Sequence, residues 1–116
     1  MFVSIKGSPY ARFRAALRAG NLLVVRAAAA ELPRVDLVDA LAICVLMGAQ
    51  GDERFERAAT KWLARLALEH PSIALEELRR GLNALDALPH NPAAARGELV
   101  ALCRRHGLPE AARVLA

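Results

Sequence analysis

Three histidines and two cysteines are the residues of this chain best suited to metal binding or acid–base chemistry. Cys103 and His106 lie three positions apart, a spacing that puts both side chains on one face of a helix. A structural zinc site needs about four such ligands, commonly as two pairs, and the sequence has no second pair with matching spacing. We therefore predict no metal and no cofactor. His70 and His106 are instead expected to end helices, where an imidazole interacts favourably with the helix dipole.

Serines and carboxylates give no catalytic pattern either. Ser8 and Ser72 are expected to cap helices, and the chain has no strand–turn–helix elbow that would expose a nucleophile. Carboxylates do occur in pairs, but each pair lies where a helix is expected to begin, a place that favours negative charge. The pairs are Asp36 with Asp39, Asp52 with Glu56, and Glu76 with Glu77. The sequence thus predicts no catalytic residue, and an enzyme is the weakest hypothesis.

Basic side chains offer a different chemistry, the binding of phosphate or of an acidic protein. The chain carries 16 Lys and Arg against 12 Asp and Glu, a formal charge of +4, and no acid precedes Glu31. Such a surface suits nucleic acid or an acidic protein, or it is only a solvated helix face. The candidate basic surface consists of Arg12, Arg14, Arg18, Arg57, Lys61 and Arg65.

Helices must position all these side chains. The segment 37–49, LVDALAICVLMGA, has Asp39 as its only charge and apolar residues on every side of a helix. This pattern is typical of a helix covered on all faces, and it is shorter than the roughly 20 apolar residues that a membrane span needs. We therefore predict an all-α fold, either a bundle or a short stack of antiparallel helical hairpins, built around a central apolar helix over 37–48.

Turn and cap residues divide the chain into six to seven helices. Ser8 with Pro9 predicts a helix start, Gly20 with Asn21 a turn, and Pro33 a stop. The predicted helices span about 9–19, 22–32, 37–48, 53–70, 73–88, 92–106, and a short last turn that ends at 116. In the fifth of these, an apolar stripe of Ile73, Leu78, Leu82, Leu85 and Leu88 is expected to face the core.

The second helix carries more apolar surface than one core contact uses. Its sequence, LLVVRAAAAEL, is nearly continuous in apolar residues, so part of it is expected to stay exposed and to meet a partner or a second copy. We take Leu22, Val25 and Arg26 as the candidate protein interface. Alternatively, Val24 and Ala28 form the exposed face, or alanine is simply tolerated at the surface.

Two segments resemble known helical repeats. Residues 16–37 are similar to the helix, Gly-Asn turn and second helix of ankyrin repeats, with Gly20, Asn21 and Leu22 in matching places. Residues 102–115, LCRRHGLPEAARVL, resemble the hairpin turn of tetratricopeptide-type repeats. Together the segments cover less than a third of the chain. The resemblance implies a partner-binding helical stack and carries over no functional residue.

Composition bounds the remaining expectations. A chain of 116 residues with 55% apolar residues is expected to fold as one α-helical domain over 1–116, preceded by a short extension at 1–7. Two cysteines and no secretory leader indicate a cytoplasmic protein, and the excess of Arg over Lys suggests a bacterial source. We predict a non-catalytic interaction or adaptor module that self-associates as a homodimer, without membrane or small-molecule partners. A nucleic-acid-binding accessory protein is the alternative.

Overall fold

The computed structural model describes residues 8–115 and shows an all-α protein. The described residues form no strand and seven helices: α1 (Pro9–Ala19), α2 (Leu22–Ala30), α3 (Leu37–Gln50), α4 (Phe55–Glu69), α5 (Leu75–Ala87), α6 (Pro92–Arg105) and α7 (Ala111–Leu115). The predicted fold class is confirmed. The chain falls into two compact units, Met1–Asp36 and Leu37–Ala116, and the single domain over 1–116 stays a prediction. The predicted extension at 1–7 lies outside the described residues.

The first unit contains a hairpin of α1 and α2, and side-chain caps set its helix ends. Ser8 Oγ accepts a hydrogen bond from Ala11 N at 3.3 Å at the start of α1. Gly20 adopts φ of 70°, the left-handed conformation that ends a helix and that favours glycine. Asn21 Oδ1 accepts from Val24 N at 3.2 Å and so starts α2 at once. The sequence predicted the cap at Ser8 and the turn at Gly20 and Asn21.

The second unit is a ring of four helices with a fifth packed against it. α3 packs on α4, α4 on α5, α5 on α6, and α6 returns to α3, while α7 contacts both α3 and α6. The short connections make consecutive helices neighbours, which accounts for this order. α3 thus has neighbours on several sides, as its apolar sequence predicted.

The core of the second unit is built on α3 and α4. Most side chains of α3 are buried or half-buried, and only its last two residues are exposed. Trp62 is buried, and its indole Nε1 donates a hydrogen bond to the Leu37 carbonyl oxygen at 2.7 Å, which ties the middle of α4 to the start of α3. Other large, fully buried side chains of this unit are Leu41, Leu66, Leu99, Leu102 and Cys103.

Two helix starts differ from the prediction. Ser72 does not cap α5: the helix begins after Ala74, whose N–H donates to Glu77 Oε1 at 3.3 Å, so the capping group comes from within the first turn. α4 begins two residues later than predicted, because Asp52 Oδ1 accepts from Arg54 N at 2.8 Å and holds the preceding residues in a turn. In both cases a carboxylate sets the helix start, but the carboxylate does not belong to the N-cap residue. Asp52 precedes the N-cap of α4, and Glu77 lies in the first turn of α5.

Candidate functional site

The candidate interface on α2 is rotated relative to the prediction. Leu22 and Val25 are buried, so neither side chain is available to a partner, whereas Arg26 is exposed. The exposed apolar residues are instead Leu23, at 77% exposure, Val24, at 44%, and Ala27, which together we call the outer face of α2. A helix that is apolar on all sides carries no periodic signal of which side is buried, and this explains the error.

The basic candidates of the first unit differ in their surroundings. Arg12 Nη2 lies 2.7 Å from Glu31 Oε1 in an exposed ion pair between α1 and the end of α2. Arg14 is half-buried, and Arg18 is exposed. The structure therefore leaves Arg18 and Arg26 as the more accessible cations of this hairpin.

The basic candidates of the second unit lie on α4. Arg57 and Lys61 are exposed, one turn apart, and neither forms an ion pair within the described part of the chain. Arg65 instead pairs with Glu69, with 3.0 Å between Nη2 and Oε2. Two of the three predicted positions thus remain as a cationic strip beside Glu56, Thr60 and Ala64.

An apolar groove runs between α4 and α5. Its volume is about 280 Å³, at the lower end of the roughly 300–1,000 Å³ typical of small-molecule sites. Leu82 was predicted to face the core, but its side chain lies in this groove and is 54% exposed. Of the other residues in the predicted stripe, Leu85 and Leu88 are buried, and Ile73 and Leu78 are half-buried. The α4–α5 groove is lined by Phe55, Glu56, Ala59, Thr60, Leu63, Leu82, Leu85 and Asp86.

The charges on the α4–α5 groove are negative although the chain as a whole is basic. Glu56 and Asp86 line the groove, are exposed, and form no ion pair with any other described residue. Two more leucines of the same helices are exposed outside the groove, Leu68 at 81% and Leu75 at 76%. The α4–α5 hairpin therefore combines apolar side chains, two open carboxylates, and a cationic strip on the outer side of α4.

A polar cluster joins the ends of three helices in the second unit. His70 and His106 are the C-terminal caps of α4 and α6, as predicted, and their rings lie 6.2 Å apart. Glu77 Oε2 accepts from Arg105 Nε at 3.1 Å and lies 3.0 Å from His106 Nε2. Sequence spacing gave no sign of this cluster, since Glu77 lies 28 positions from Arg105 and 29 positions from His106. The Glu77 carboxylate is occupied by protein donors, which suits a structural contact.

Both cysteines are free and buried, which suits packing and not ligation. Burial raises the pKa of Cys44 to about 12 and that of Cys103 to about 11, so both remain neutral thiols at physiological pH. The described residues contain no group of three or more His, Cys, Asp or Glu side chains placed to hold a metal ion. His106 Nε2 lies 3.0 Å from Glu77 Oε2, and Cys103 is fully buried.

A second groove lies between α5 and α6. It has a volume of about 260 Å³ and a floor of alanines, with Asn83, Asn91, Arg80 and Glu98 around it. All four of these polar side chains are exposed, so they are solvated and not aimed into an enclosed space. The apolar lining of this groove consists of alanines, without the large side chains that line the α4–α5 groove.

None of the helices described here is both long and apolar enough to cross a membrane. Comparison of the chain with protein-family models, with curated proteins and with solved structures finds no match.

Proposed function

We propose that the protein is a non-catalytic helical interaction module that binds an apolar helix of a protein partner in the α4–α5 groove. The observation that carries the proposal is Leu82, a large apolar side chain left 54% exposed beside the half-buried Phe55 and Leu63. Exposed apolar surface costs free energy in water, and a groove between two helices is a common seat for the apolar face of a third.

The chemistry of the groove favours a protein partner over a small substrate. Its polar lining consists of Glu56, Thr60 and Asp86, all exposed, and no titratable group is enclosed there. An active site would need enclosed, converging polar groups. The two free, buried cysteines are consistent with the cytoplasmic location proposed from the sequence.

A designed helical peptide tests the groove. We would use a capped alanine-based helix carrying two leucines four residues apart and two arginines, and follow the backbone amide signals of the full-length protein by NMR during titration. Shifts are expected at Phe55, Leu63 and Leu82, with binding in the high-micromolar range.

The matched variants are Leu82→Glu, inside the groove, and Leu68→Glu, on the same hairpin but outside it. Leu82→Glu is expected to abolish the shifts, while Leu68→Glu retains them. An absence of shifts at the highest soluble peptide concentration, with the protein dilute enough to be monomeric, would reject the proposed function.

Nucleic-acid binding is the second candidate, and the open pair Arg57 and Lys61 favours it. Two cations without carboxylate partners are free to neutralise phosphates, with an affinity that falls as salt rises. Fluorescence anisotropy with a labelled single-stranded oligonucleotide would test this. Salt-sensitive binding that the double variant Arg57→Glu, Lys61→Glu removes supports it, and unchanged or absent binding rejects it.

A further inference from the structure

We infer that the helix received by the α4–α5 groove is α2 of a second copy of this chain, presented by its outer face. The inference rests on the proposed function of the groove and names its partner. The outer face is the apolar surface of α2 left exposed in the first unit, with Leu23 at 77% and Val24 at 44%. Ala27 follows Leu23 by one turn and is also exposed, and its small side chain permits a close approach of the two backbones.

The groove is long enough to hold α2. The groove follows α4 from Phe55 to Leu63, a span of about 12 Å at the helical rise of 1.5 Å per residue. α2 has 9 residues, about 12 Å, so it fits within this span, and its outer face from Leu23 to Ala27 covers about 6 Å of it. Leu23, near the start of α2, would meet Leu82 and Phe55 while Ala27 lies over the middle of the groove.

The two surfaces also match in charge. The groove carries the open carboxylates of Glu56 and Asp86. The outer face of α2 is bordered by Arg26, which forms no ion pair with other described residues, and the nearest acid, Glu31, is already paired with Arg12. Opposite charges facing each other across an apolar contact would favour this orientation and speed association at low salt.

This contact joins unlike surfaces, since each copy offers one outer face and one groove. A variant altered in the outer face still has an intact groove, and a variant altered in the groove still has an intact outer face. Neither variant associates with itself, but a mixture of the two retains one intact contact. A symmetric contact of α2 with α2 would not behave in this way.

The test uses the full-length protein and three variants, Leu23→Glu, Leu82→Glu and the control Leu68→Glu. All three replace exposed leucines, and circular dichroism would verify that each variant folds. Mass is measured by light scattering and by sedimentation over a range of concentrations. The wild type and Leu68→Glu are expected to associate, and Leu23→Glu and Leu82→Glu each weaken association by about 30-fold, the loss typical of a central interface residue. An equimolar mixture of Leu23→Glu and Leu82→Glu is expected to form a complex again.

A charge exchange supplies an independent measurement. Arg26→Glu is expected to weaken association, and adding Glu56→Arg and Asp86→Arg to the same chain should recover it, because every facing charge pair is then reversed and again opposite.

Three outcomes would overturn the inference but leave the groove function standing, provided that the peptide binds. They are a monomeric wild type, a loss of association in Leu23→Glu but not in Leu82→Glu, and no recovery when these two variants are mixed. Failure of the peptide to bind the Leu23→Glu variant, whose groove is intact and free of α2, rejects the proposed function itself, so the two failures are distinguishable.

Discussion

Glu77 connects the start of α5 to the end of α6 through one carboxylate. It accepts hydrogen bonds from Ala74 N, Arg105 Nε and His106 Nε2, at 3.3, 3.1 and 3.0 Å. The hydrogen bonds from Ala74, His106 and Arg105 lower the pKa of Glu77 below its ordinary value of 4.5. A carboxylate whose pKa is lower in the folded state stabilises the fold above its unfolded pKa, and this stabilisation is lost as the pH falls through the folded pKa.

We therefore expect Glu77→Gln to lower the unfolding free energy at neutral pH, and the difference from wild type to shrink as the pH falls below 4.5. Urea unfolding at several pH values measures both effects. The control is Glu76→Gln, since Glu76 is exposed and forms only long contacts of 3.8 and 4.0 Å with Arg79 and Arg80. An equal loss in the two variants, or a loss independent of pH, would contradict the role assigned to Glu77.

Trp62 is the second residue on which the second unit depends. Its indole is buried and donates to the Leu37 carbonyl oxygen at 2.7 Å. Trp62→Phe removes the donor and reduces the buried ring, so we expect a loss of about 2 kcal/mol, of which roughly 1 comes from the hydrogen bond and the remainder from packing. Denaturant unfolding measures this loss. A change smaller than about 0.5 kcal/mol would mean that the hydrogen bond contributes nothing net.

At the scale of helices, two glycines allow a matched comparison of the same substitution at a crowded and at an open position. A methyl group on Gly81 of α5 would lie 3.0 Å from Leu102 Cδ2 and 3.1 Å from Leu63 Cδ1, whereas one on Gly97 of α6 would meet nothing within 4 Å. Leu102 is fully buried and has little room to move. We expect Gly97→Ala to stabilise the protein by about 0.5–1 kcal/mol through helix propensity.

The same change at Gly81 gains that propensity but crowds the contact of α5 with α4 and α6. We expect Gly81→Ala to destabilise by about 1 kcal/mol, because overpacking a tight contact costs roughly 1–3 kcal/mol. Thermal unfolding of the two variants side by side compares them directly. Equal stabilisation by both would show that the leucines yield at no cost.

The ends of α1 and the start of α2 were predictable from sequence, whereas the starts of α4 and α5 lie two residues later than predicted, and buried faces were predictable only in part. Ser8, Gly20 and Asn21 act through local backbone hydrogen bonds, so the sequence contains their whole signal. The outer face of α2 and the exposure of Leu82 depend instead on which helices pack together. In a uniformly apolar helix such as α2, the sequence does not indicate which side is buried. On α5, the leucine stripe is wider than the surface that the neighbouring helices bury, so Leu82 stays exposed. The α4–α5 groove was therefore missed.

At the scale of the whole chain, net charge is a poor guide to the candidate site. The formal charge of +4 suggested an acidic partner, yet the groove itself carries Glu56 and Asp86. Exposed charges separated by more than about 10 Å are largely screened at ordinary salt. A helix bound in the groove therefore interacts more strongly with the nearby carboxylates than with the net charge of the chain. A partner with basic residues near its apolar face fits this site better than the composition indicated.

The two compact units differ in their capacity to fold alone. Residues 37–116 contain five helices and a closed ring around Trp62, Leu66 and Leu99. The other unit, residues 1–36, has helices of 11 and 9 residues, shorter than the roughly 12–15 residues that an isolated helix needs.

We expect a fragment of residues 37–116 to be helical and to unfold cooperatively, and a fragment of residues 1–36 to be largely unfolded. Far-ultraviolet circular dichroism of both fragments, with the full chain as reference, measures this. A 37–116 fragment that melts without a transition would mean that the ring needs residues 1–36, and that outcome would favour the single domain predicted from the sequence. A cooperative transition would instead identify residues 37–116 as a folding unit that carries the α4–α5 groove without α2.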